Sequence, residues 1–290
     1  RDAGFDILGV DPSNLALEAH AAGLPSVREF FSEAVARQVA ESRGHADVIV
    51  ARNVLGHVNK PADFARGIAQ LLATTGTFVL EVPYAFMLRA DLQYDTVFHE
   101  HVSYPTVRAV HNLFAAVGLK ITDVSFVDMN GGSMLCELVH DSSPVPANDQ
   151  AMLDFETLIH LNRAEGWRNF GDAVVRQRAD LRALLISLRD AGKVVAGYGA
   201  AAKSMTMLNY CDIGPDLVRA MGDANPRKQG LLCPGVRIPV VSPDALLALA
   251  PDYILIGAWN FRDEIVRQFR ERGYTGQFIL PLPSPVVINA

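Results

Sequence analysis

Short apolar segments alternate with helical segments along most of this chain, and this alternation restricts the fold more than any other feature. Phe5–Val10, Asp47–Ala51 and Gly76–Val82 have the composition of strands, and helical spacing follows them. The second half repeats the pattern, with strands that begin at Val194 and Tyr253. Strands that alternate with helices are joined by crossover connections and form mostly parallel sheets. The sequence therefore predicts an α/β fold.

The alternation occurs twice, which indicates two domains. A segment rich in turn-forming residues, Ser142–Asn148, separates the two halves, and a helical pattern with a break near Gly166 follows it. The chain has 290 residues, enough for two separate cores. We expect two Rossmann-like parallel-sheet domains joined by helices, at residues 1–142 and 143–290.

Composition argues against several classes of function. The net charge is −6, from 26 basic and 32 acidic residues, and no long basic run occurs, so a general nucleic-acid-binding surface is not expected. No apolar stretch reaches the roughly 18 residues of a membrane span. Cys136, Cys211 and Cys233 are too widely spaced for a disulfide framework or a CxxC metal site, which predicts a cytoplasmic protein.

The first residues suggest that the sequence is part of a longer protein. Arg1 is not an initiator methionine, and Phe5–Val10 has the composition of a strand already under way. A strand at the start of a chain needs a partner, so we expect an upstream part to be missing.

Polar residues follow two of the predicted strands at the carboxyl edge of the sheet, where α/β folds bind ligands. Asp11 follows the first strand, and its carboxylate can accept both hydroxyls of a ribose; it can equally cap the next helix. Asn53 and His57 follow the second strand and are expected at the same crevice. A lone histidine such as His57 also has a structural interpretation, as a hydrogen-bonded group.

The densest cluster of titratable residues is His99-Glu100-His101, in an irregular stretch before a helix. Histidine suits proton transfer near neutral pH, and a neighbouring carboxylate can orient it. A metal site and a solvated loop are the alternatives, although the spacing lacks the further ligand of the helical HExxH pattern.

A glycine-rich turn, Gly197–Ser204, follows a strand of the second half and opens a helix. Small residues allow close approach of a phosphate, a helix N-terminus offers N–H groups to an anion, and Lys203 adds positive charge. The spacing does not match a Walker loop and matches the NAD fingerprint only in part. A diphosphate site is the favoured interpretation, and a structural turn is the alternative.

Two further segments follow strands of the second half. Asp223 stands where a dinucleotide fold places a ribose-binding acid, and Asn225 and Lys228 come shortly after it. Trp259 and Asn260 follow a later strand and suit stacking on a base or a sugar. A polar turn and a packed corner are the respective structural alternatives.

Five motifs in order make the chain resemble a known family. The resemblance rests on residues 98–104 (FHEHVSY), 130–133 (NGGS), 197–203 (GYGAAAK), 223–230 (DANPRKQG) and 259–265 (WNFRDEI). These motifs resemble those of the S-adenosylmethionine-dependent sugar C-methyltransferases, in particular the deoxysugar 3-C-methyltransferases that act on thymidine-diphosphate 4-keto sugars.

The resemblance implies an architecture and a cofactor. The family has an N-terminal zinc-binding domain, a methyltransferase domain and a C-terminal Rossmann-like domain that helps to hold the nucleotide sugar. On this basis the first domain here is an incomplete methyltransferase domain, and zinc belongs only to the missing N-terminal module. Asp11 and Asn53 match residues that bind S-adenosylmethionine.

The resemblance also implies roles in the reaction. His101 matches the general base, and Glu100 and His57 would orient it or stabilise an enolate. Two positions depart from the family pattern: Phe98 is often Tyr, and Asn130 is usually His. The residues expected to bind the nucleotide sugar are Gly199, Ala200, Ala201, Lys203, Asn225, Lys228, Trp259 and Asn260.

The expected function is therefore methylation of the carbon next to the ketone of a nucleotide-diphosphate keto-deoxysugar. Two alternatives stay open: a nucleotide-sugar-binding fragment without activity, and an NAD-linked oxidoreductase that uses Gly197–Lys203. The sequence says nothing about the oligomeric state.

Overall fold

The computed structural model describes residues 4–129 and 131–289, so Arg1 and Asn130 lie outside the described residues. The chain forms two compact units. The first comprises the chain up to Tyr84 together with Val102–Val127 and Ser133–Ile159. The second comprises Ala85–His101, Asp128–Gly132 and the chain from His160 onward. The domain boundary between residues 142 and 143 stays a prediction.

The first unit holds one two-stranded and one four-stranded sheet. Its strands are β1 (Gly9–Val10), β2 (Ser26–Val27), β3 (Ala46–Arg52), β4 (Leu72–Pro83), β5 (Leu119–Val127) and β6 (Ser133–His140). β1 and β2 pair in parallel, and the larger sheet has the order β3-β4-β6-β5. β3 and β4 are parallel, whereas β6 is antiparallel to both of its neighbours.

The prediction of an α/β fold is confirmed, but the larger sheet of the first unit is mixed rather than mostly parallel. The antiparallel pairing of β5 and β6 follows from the short loop between them. Only residues 128–132 separate β5 from β6. A loop this short can join antiparallel neighbours but cannot make the crossover that parallel strands need.

Ten helices are found in the described part of the chain. They are α1 (Leu15–Ala21), α2 (Glu33–Arg43), α3 (Pro61–Leu71), α4 (Ala85–Ala90), α5 (Val107–Ala115), α6 (Gln150–Leu158), α7 (Arg168–Asp190), α8 (Ala202–Tyr210), α9 (Pro243–Ala248) and α10 (Arg262–Glu271). α3 begins at Pro61 and buries Phe64 and Ile68, as its apolar spacing predicts. The predicted break near Gly166 is confirmed, because a 3-10 turn at Ala164–Trp167 precedes α7.

The second unit contains a six-stranded sheet whose order reverses at its centre. Its strands are β7 (Val195–Tyr198), β8 (Met221–Gly222), β9 (Val240–Val241), β10 (Tyr253–Ile256), β11 (Gln277–Leu280) and β12 (Val286–Ile288). The order is β12-β11-β10-β7-β8-β9, and every pair is parallel except β11 with β12. The chain moves outward from β7 in one direction and then from β10 in the other. The carboxyl ends of β7 and β10 therefore border the crevice where such sheets bind ligands.

Apolar side chains cover this second sheet on both faces. Leu255 of β10 belongs to a core cluster with Leu181 of α7. Its neighbours Ile254 and Ile256 point to the opposite cluster, which contains Phe269 of α10. This alternation fits a parallel strand buried between two helical layers.

Among residues 4–129 and 131–289, no helix combines the length and the hydropathy that crossing a membrane requires.

Candidate functional site

The glycine-rich turn after β7 lies against the segment that follows β10. Gly199 has a φ of +93°, and a Cβ added there would lie 2.8 Å from the Cβ of Ala258. The turn is closed by Ser204, whose hydroxyl donates to the carbonyl of Gly199 at 2.6 Å. Both the backbone angle and this close approach require glycine at position 199. With glycine there, the turn after β7 packs directly against the segment that follows β10, at the centre of the sheet.

Asp223 fixes the same turn from the end of β8. Its carboxylate accepts hydrogen bonds from the backbone N–H of Ala200 at 3.0 Å and of Asn225 at 2.9 Å. Lys228 donates to this carboxylate at 3.1 Å and to the carbonyl of Ala200 at 2.9 Å. Asp223 is 9% exposed. The carboxylate that a dinucleotide fold would direct to a ribose is therefore occupied within its own unit.

Lys203 and Trp259, both half-buried, form a polar cluster with the buried Asp95 beside the turn. The indole N–H of Trp259 donates to Oδ2 of Asp95 at 2.7 Å, and the Lys203 ammonium lies 4.8 Å from the centre of the indole ring. Asp95 is 1% exposed, and burial raises the pKa of its carboxyl group. Loss of hydration lowers the pKa of Lys203, although the nearby Asp95 opposes this shift.

A cavity of about 370 Å³ opens beside Trp259, lined among others by Gly131, Asn260, Arg262 and Leu282. Gly131 has no room for a side chain, because an added Cβ would lie 2.5 Å from the ring of Trp259. The preceding residue of the NGGS motif, Asn130, lies outside the described residues. The cavity has the size of a small-molecule pocket, and both Trp259 and Asn260 line it.

The ring of His101 is held by the segment before it. Nδ1 lies 2.8 Å from the carbonyl oxygen of Thr96, and the ring stacks 4.1 Å from that of Phe98, centre to centre. A carbonyl oxygen only accepts hydrogen bonds, so Nδ1 carries the proton in the neutral ring. In this tautomer Nε2 carries the lone pair of the ring, and it is the nitrogen that can act as a base.

The other two members of the histidine cluster are more exposed. The side chain of His99 is 91% exposed and that of Glu100 is 61% exposed, with 4.0 Å between His99 Nε2 and Glu100 Oε1. The described residues contain no group of three or more acidic, histidine or cysteine side chains arranged to hold a metal ion. Support of the base by Glu100 stays a prediction.

Asp11 and Asn53 stand at the ends of β1 and β3 in the first unit. Asp11 accepts a hydrogen bond from the backbone N–H of Ser13 at 2.7 Å, and the hydroxyl and the N–H of Ser13 lower the pKa of the carboxyl group. Asn53 has a φ of 53°, an uncommon value for a residue other than glycine. Its Oδ1 is buried without a hydrogen-bond partner in the described chain. Backbone strain and an unpartnered oxygen together are typical of a binding position.

His57 lies in a turn that holds the segment following the histidine cluster. The carbonyl of Gly56 accepts hydrogen bonds from the N–H groups of Val102 at 2.8 Å and Ser103 at 3.3 Å. Nearby, Glu81 is 4% exposed and accepts from Arg52 at 2.7 Å, while its Oε1 has no partner among the described residues.

The structure groups the predicted residues by unit. His101, Glu100 and every predicted substrate-binding residue belong to the second unit, whereas Asp11, Asn53 and His57 belong to the first. Sequence reasoning missed Asp95, Thr96 and Glu81. Asp95 had a weak signal only, an acidic residue six positions before His101; the burial that makes it notable arises from tertiary packing.

Two family models match successive parts of the chain. Residues 1–124 match the model of a methyltransferase domain, and residues 128–283 match that of a C-methyltransferase C-terminal domain. The C-methyltransferase NovU of Streptomyces niveus is 36% identical over 300 residues, which cover 100% of this chain and 70% of that protein.

Similarity to solved structures is weak. An S-adenosylmethionine-dependent methyltransferase from Anabaena variabilis has a TM-score of 0.38 at 16% identity, over 48% of this chain and 70% of that one. Magnesium protoporphyrin IX methyltransferase from Synechocystis has a TM-score of 0.35 at 15% identity, over 48% of this chain and 65% of that one.

The family resemblance of the motifs is thus supported over the whole length of the chain. The C-terminal family model alone spans more than half of it, and the sequence relative extends over all of it. The chain is a methyltransferase and belongs to the C-methyltransferase family.

Proposed function

We propose that this protein methylates the carbon next to the ketone of a nucleotide-diphosphate keto-deoxysugar, with S-adenosylmethionine as the methyl donor and thymidine diphosphate as the nucleotide. One observation carries the proposal beyond the family: the segment Ala85–His101 folds with the chain from His160 onward. The candidate base and the candidate diphosphate anchor therefore belong to one compact unit.

The first chemical step is removal of a proton by His101. A carbon next to a ketone is acidic because the resulting anion spreads onto the oxygen. Nε2 of His101 accepts the proton, the C–H electron pair moves into the enolate, and the carbonyl of Thr96 keeps the Nδ1–H in place as the ring becomes an imidazolium. Glu100 and His57 are the groups we assign to orienting the ring or stabilising the enolate oxygen.

The residues of the first unit fit the methyl donor. The hydrogen bonds from Ser13 lower the pKa of the Asp11 carboxyl group and so favour its ionised form, and a carboxylate can accept both ribose hydroxyls. The buried, unpartnered Oδ1 of Asn53 is suited to a hydrogen-bond donor of the ligand. When bound, S-adenosylmethionine supplies an electrophilic methyl group on a sulfonium centre.

The second unit would hold the nucleotide sugar at the crevice between β7 and β10. Gly199, Ala200 and Ala201 lead into α8, which has no side-chain cap at its N-terminus, the kind of position where helices bind phosphate groups, and Lys203 adds charge. Trp259 offers a ring for stacking. Asn225, Lys228 and Asn260 complete the polar border, although Lys228 already donates to Ala200 and Asp223.

Calorimetric titration of the full chain tests this assignment with four ligands: thymidine diphosphate, S-adenosylmethionine, S-adenosylhomocysteine and NAD. We expect the first three to bind. Lys203→Ala should weaken thymidine diphosphate by about tenfold through loss of a charge-assisted contact, while Asp11→Asn weakens only the two adenosyl ligands. Binding of NAD without thymidine diphosphate would support an oxidoreductase instead, and binding of thymidine diphosphate alone would support a non-catalytic nucleotide-sugar-binding protein.

A further inference from the structure

Asp95 is a buried carboxylate to which neither the family motifs nor the proposed reaction gives a role. It is 1% exposed, and within the described residues its Oδ1 has no hydrogen-bond partner. Loss of hydration disfavours the charged form of this carboxylate, and the nearby Lys203, the Trp259 indole and the backbone N–H groups of Asp95 and Thr96 offset only part of that cost. Its presence in the second unit therefore calls for an explanation other than stability.

One side of Asp95 contacts the candidate anchor. Trp259 donates its indole N–H to Oδ2 at 2.7 Å, and the Lys203 ammonium lies over the same indole ring at 4.8 Å. A hydrogen bond to a carboxylate makes the indole ring richer in electrons, which strengthens its attraction for a cation. Asp95 thus fixes the orientation of Trp259 and, through the ring, the position of Lys203.

The other side of Asp95 leads directly to the candidate base. The next residue, Thr96, presents the carbonyl that lies 2.8 Å from Nδ1 of His101. The Thr96 hydroxyl donates to the carbonyl of Gln93 at 2.8 Å, and the Gln93 amide donates to the carbonyl of Gly131 at 2.5 Å. The segment of residues 93–96 therefore contacts the Lys203–Trp259 pair, the candidate base His101, and Gly131 of the NGGS motif.

We propose that Asp95 is a positioning residue that holds the Lys203–Trp259 anchor and the His101 imidazole in a fixed mutual geometry. The role depends on the hydrogen bond that its carboxylate accepts, which keeps the Thr96 carbonyl where Nδ1 of His101 can reach it. The assignment of the anchor to a diphosphate rests on the proposed function, whereas the coupling between Trp259 and His101 does not.

The test compares Asp95→Ala with Asp95→Asn in the full chain. NMR can follow the indole N–H of Trp259, one of two tryptophans, and the ring nitrogens of His101, one of eight histidines. In Asp95→Ala we expect the Trp259 signal to shift upfield, His101 to lose its preference for the Nδ1–H form, and affinity for thymidine diphosphate to fall about tenfold. Asp95→Asn retains an oxygen that accepts the indole N–H. We expect it to keep the Trp259 and His101 signals at their wild-type positions and the affinity for thymidine diphosphate within about twofold of wild type.

Two controls separate positioning from general stability. Asp149→Asn changes another buried carboxylate, paired with His111 at 2.7 Å in the first unit, and Trp167→Phe removes the indole that donates to Leu161 at 2.7 Å. Both should leave the His101 signal and the thymidine diphosphate affinity unchanged. If Asp95→Ala does not fold, Trp259→Phe replaces it, because it removes the N–H donor and keeps an aromatic ring for Lys203; it should also shift the His101 signal.

The proposal is overturned if the His101 signal stays at its wild-type position in Asp95→Ala or in its substitute Trp259→Phe. It is also overturned if the His101 signal in Asp95→Asn moves as far as it does in Asp95→Ala. Failure of the proposed function has a different signature. In that case wild-type protein does not bind thymidine diphosphate, while the coupling between the Trp259 and His101 signals is still observed.

Discussion

At the scale of single residues, the hydrogen bonds of a side chain determine which of its atoms carries a proton and which can accept one. The Thr96 carbonyl occupies Nδ1 of His101 and leaves Nε2 as the basic nitrogen. Asp223, by contrast, uses its carboxylate on Ala200, Asn225 and Lys228. A histidine and an aspartate that look equally reactive in the sequence therefore differ in what they can offer a ligand.

This scale also shows how much of the site the sequence could predict. His101 was predicted because it belongs to a dense cluster of titratable residues, and Lys203 and Trp259 because they follow strands of the second half. Asp95 and Glu81 were not, because an unpartnered buried oxygen results from tertiary packing and leaves no local pattern. The position of Lys203 over an indole ring was unpredictable for the same reason.

A buried thiol should make stability depend on pH. Burial of Cys136 raises the pKa of its thiol from 9.0 to about 12. Between these values the unfolded chain loses the proton while the folded chain keeps it, so the stabilisation is complete below pH 9 and is lost as the pH rises toward 12. As the pH rises above 9, we expect the free energy of unfolding to fall more steeply in wild type than in Cys136→Ala. The two slopes should differ by about 1.4 kcal/mol per pH unit.

Urea unfolding followed by circular dichroism at pH 9 to 11 measures this difference. The cavity left by Cys136→Ala lowers stability equally at each pH, so only the slope is compared. Parallel slopes for the two proteins would contradict the assignment of a strongly raised thiol pKa.

At the scale of elements, local patterns predicted helices and strands better than their pairing. The alternation and the break near Gly166 were read correctly. α2 was missed, although Ser32 caps it by accepting from the N–H of Val35 at 3.3 Å, because polar residues interrupt its apolar spacing. The antiparallel pairing of β5 with β6 follows from a short connection that sequence reading did not weigh.

One buried carboxylate joins two of these elements and gives an element-scale prediction. Glu156 of α6 accepts hydrogen bonds from the first N–H groups of α5, at 2.6 Å from Val107 and 3.0 Å from Arg108, and from the Tyr84 hydroxyl at 3.0 Å. Glu156→Ala leaves these buried donors without their acceptor. We expect the free energy of unfolding to fall by about 2–3 kcal/mol.

The matched control is Asp154→Ala on the same helix. Asp154 is exposed and accepts only from Gln150 within one turn among the bonds described, so its loss should cost less than about 0.5 kcal/mol. Chemical denaturation of both variants provides the comparison. Equal losses would show that Glu156 does not cap α5.

At the scale of the whole molecule, the compact units are assembled from separate stretches of chain. The segment Ala85–His101 lies between strands of the first unit in sequence but folds with the second. Linker composition could not predict this arrangement, because turn-forming residues mark where a chain bends and not which surfaces it packs against. The arrangement matters for function, since it places the candidate base in the same unit as the candidate anchor.

The most direct test of the account is exchange of the proton next to the ketone. The wild-type chain is incubated in D2O with a thymidine-diphosphate 4-keto-6-deoxyhexose and S-adenosylhomocysteine, and loss of that proton signal is followed by NMR. We predict exchange by wild type and by His99→Ala, whose side chain is 91% exposed, and a rate at least about 100-fold lower for His101→Ala. Exchange by His101→Ala at the wild-type rate would contradict the account.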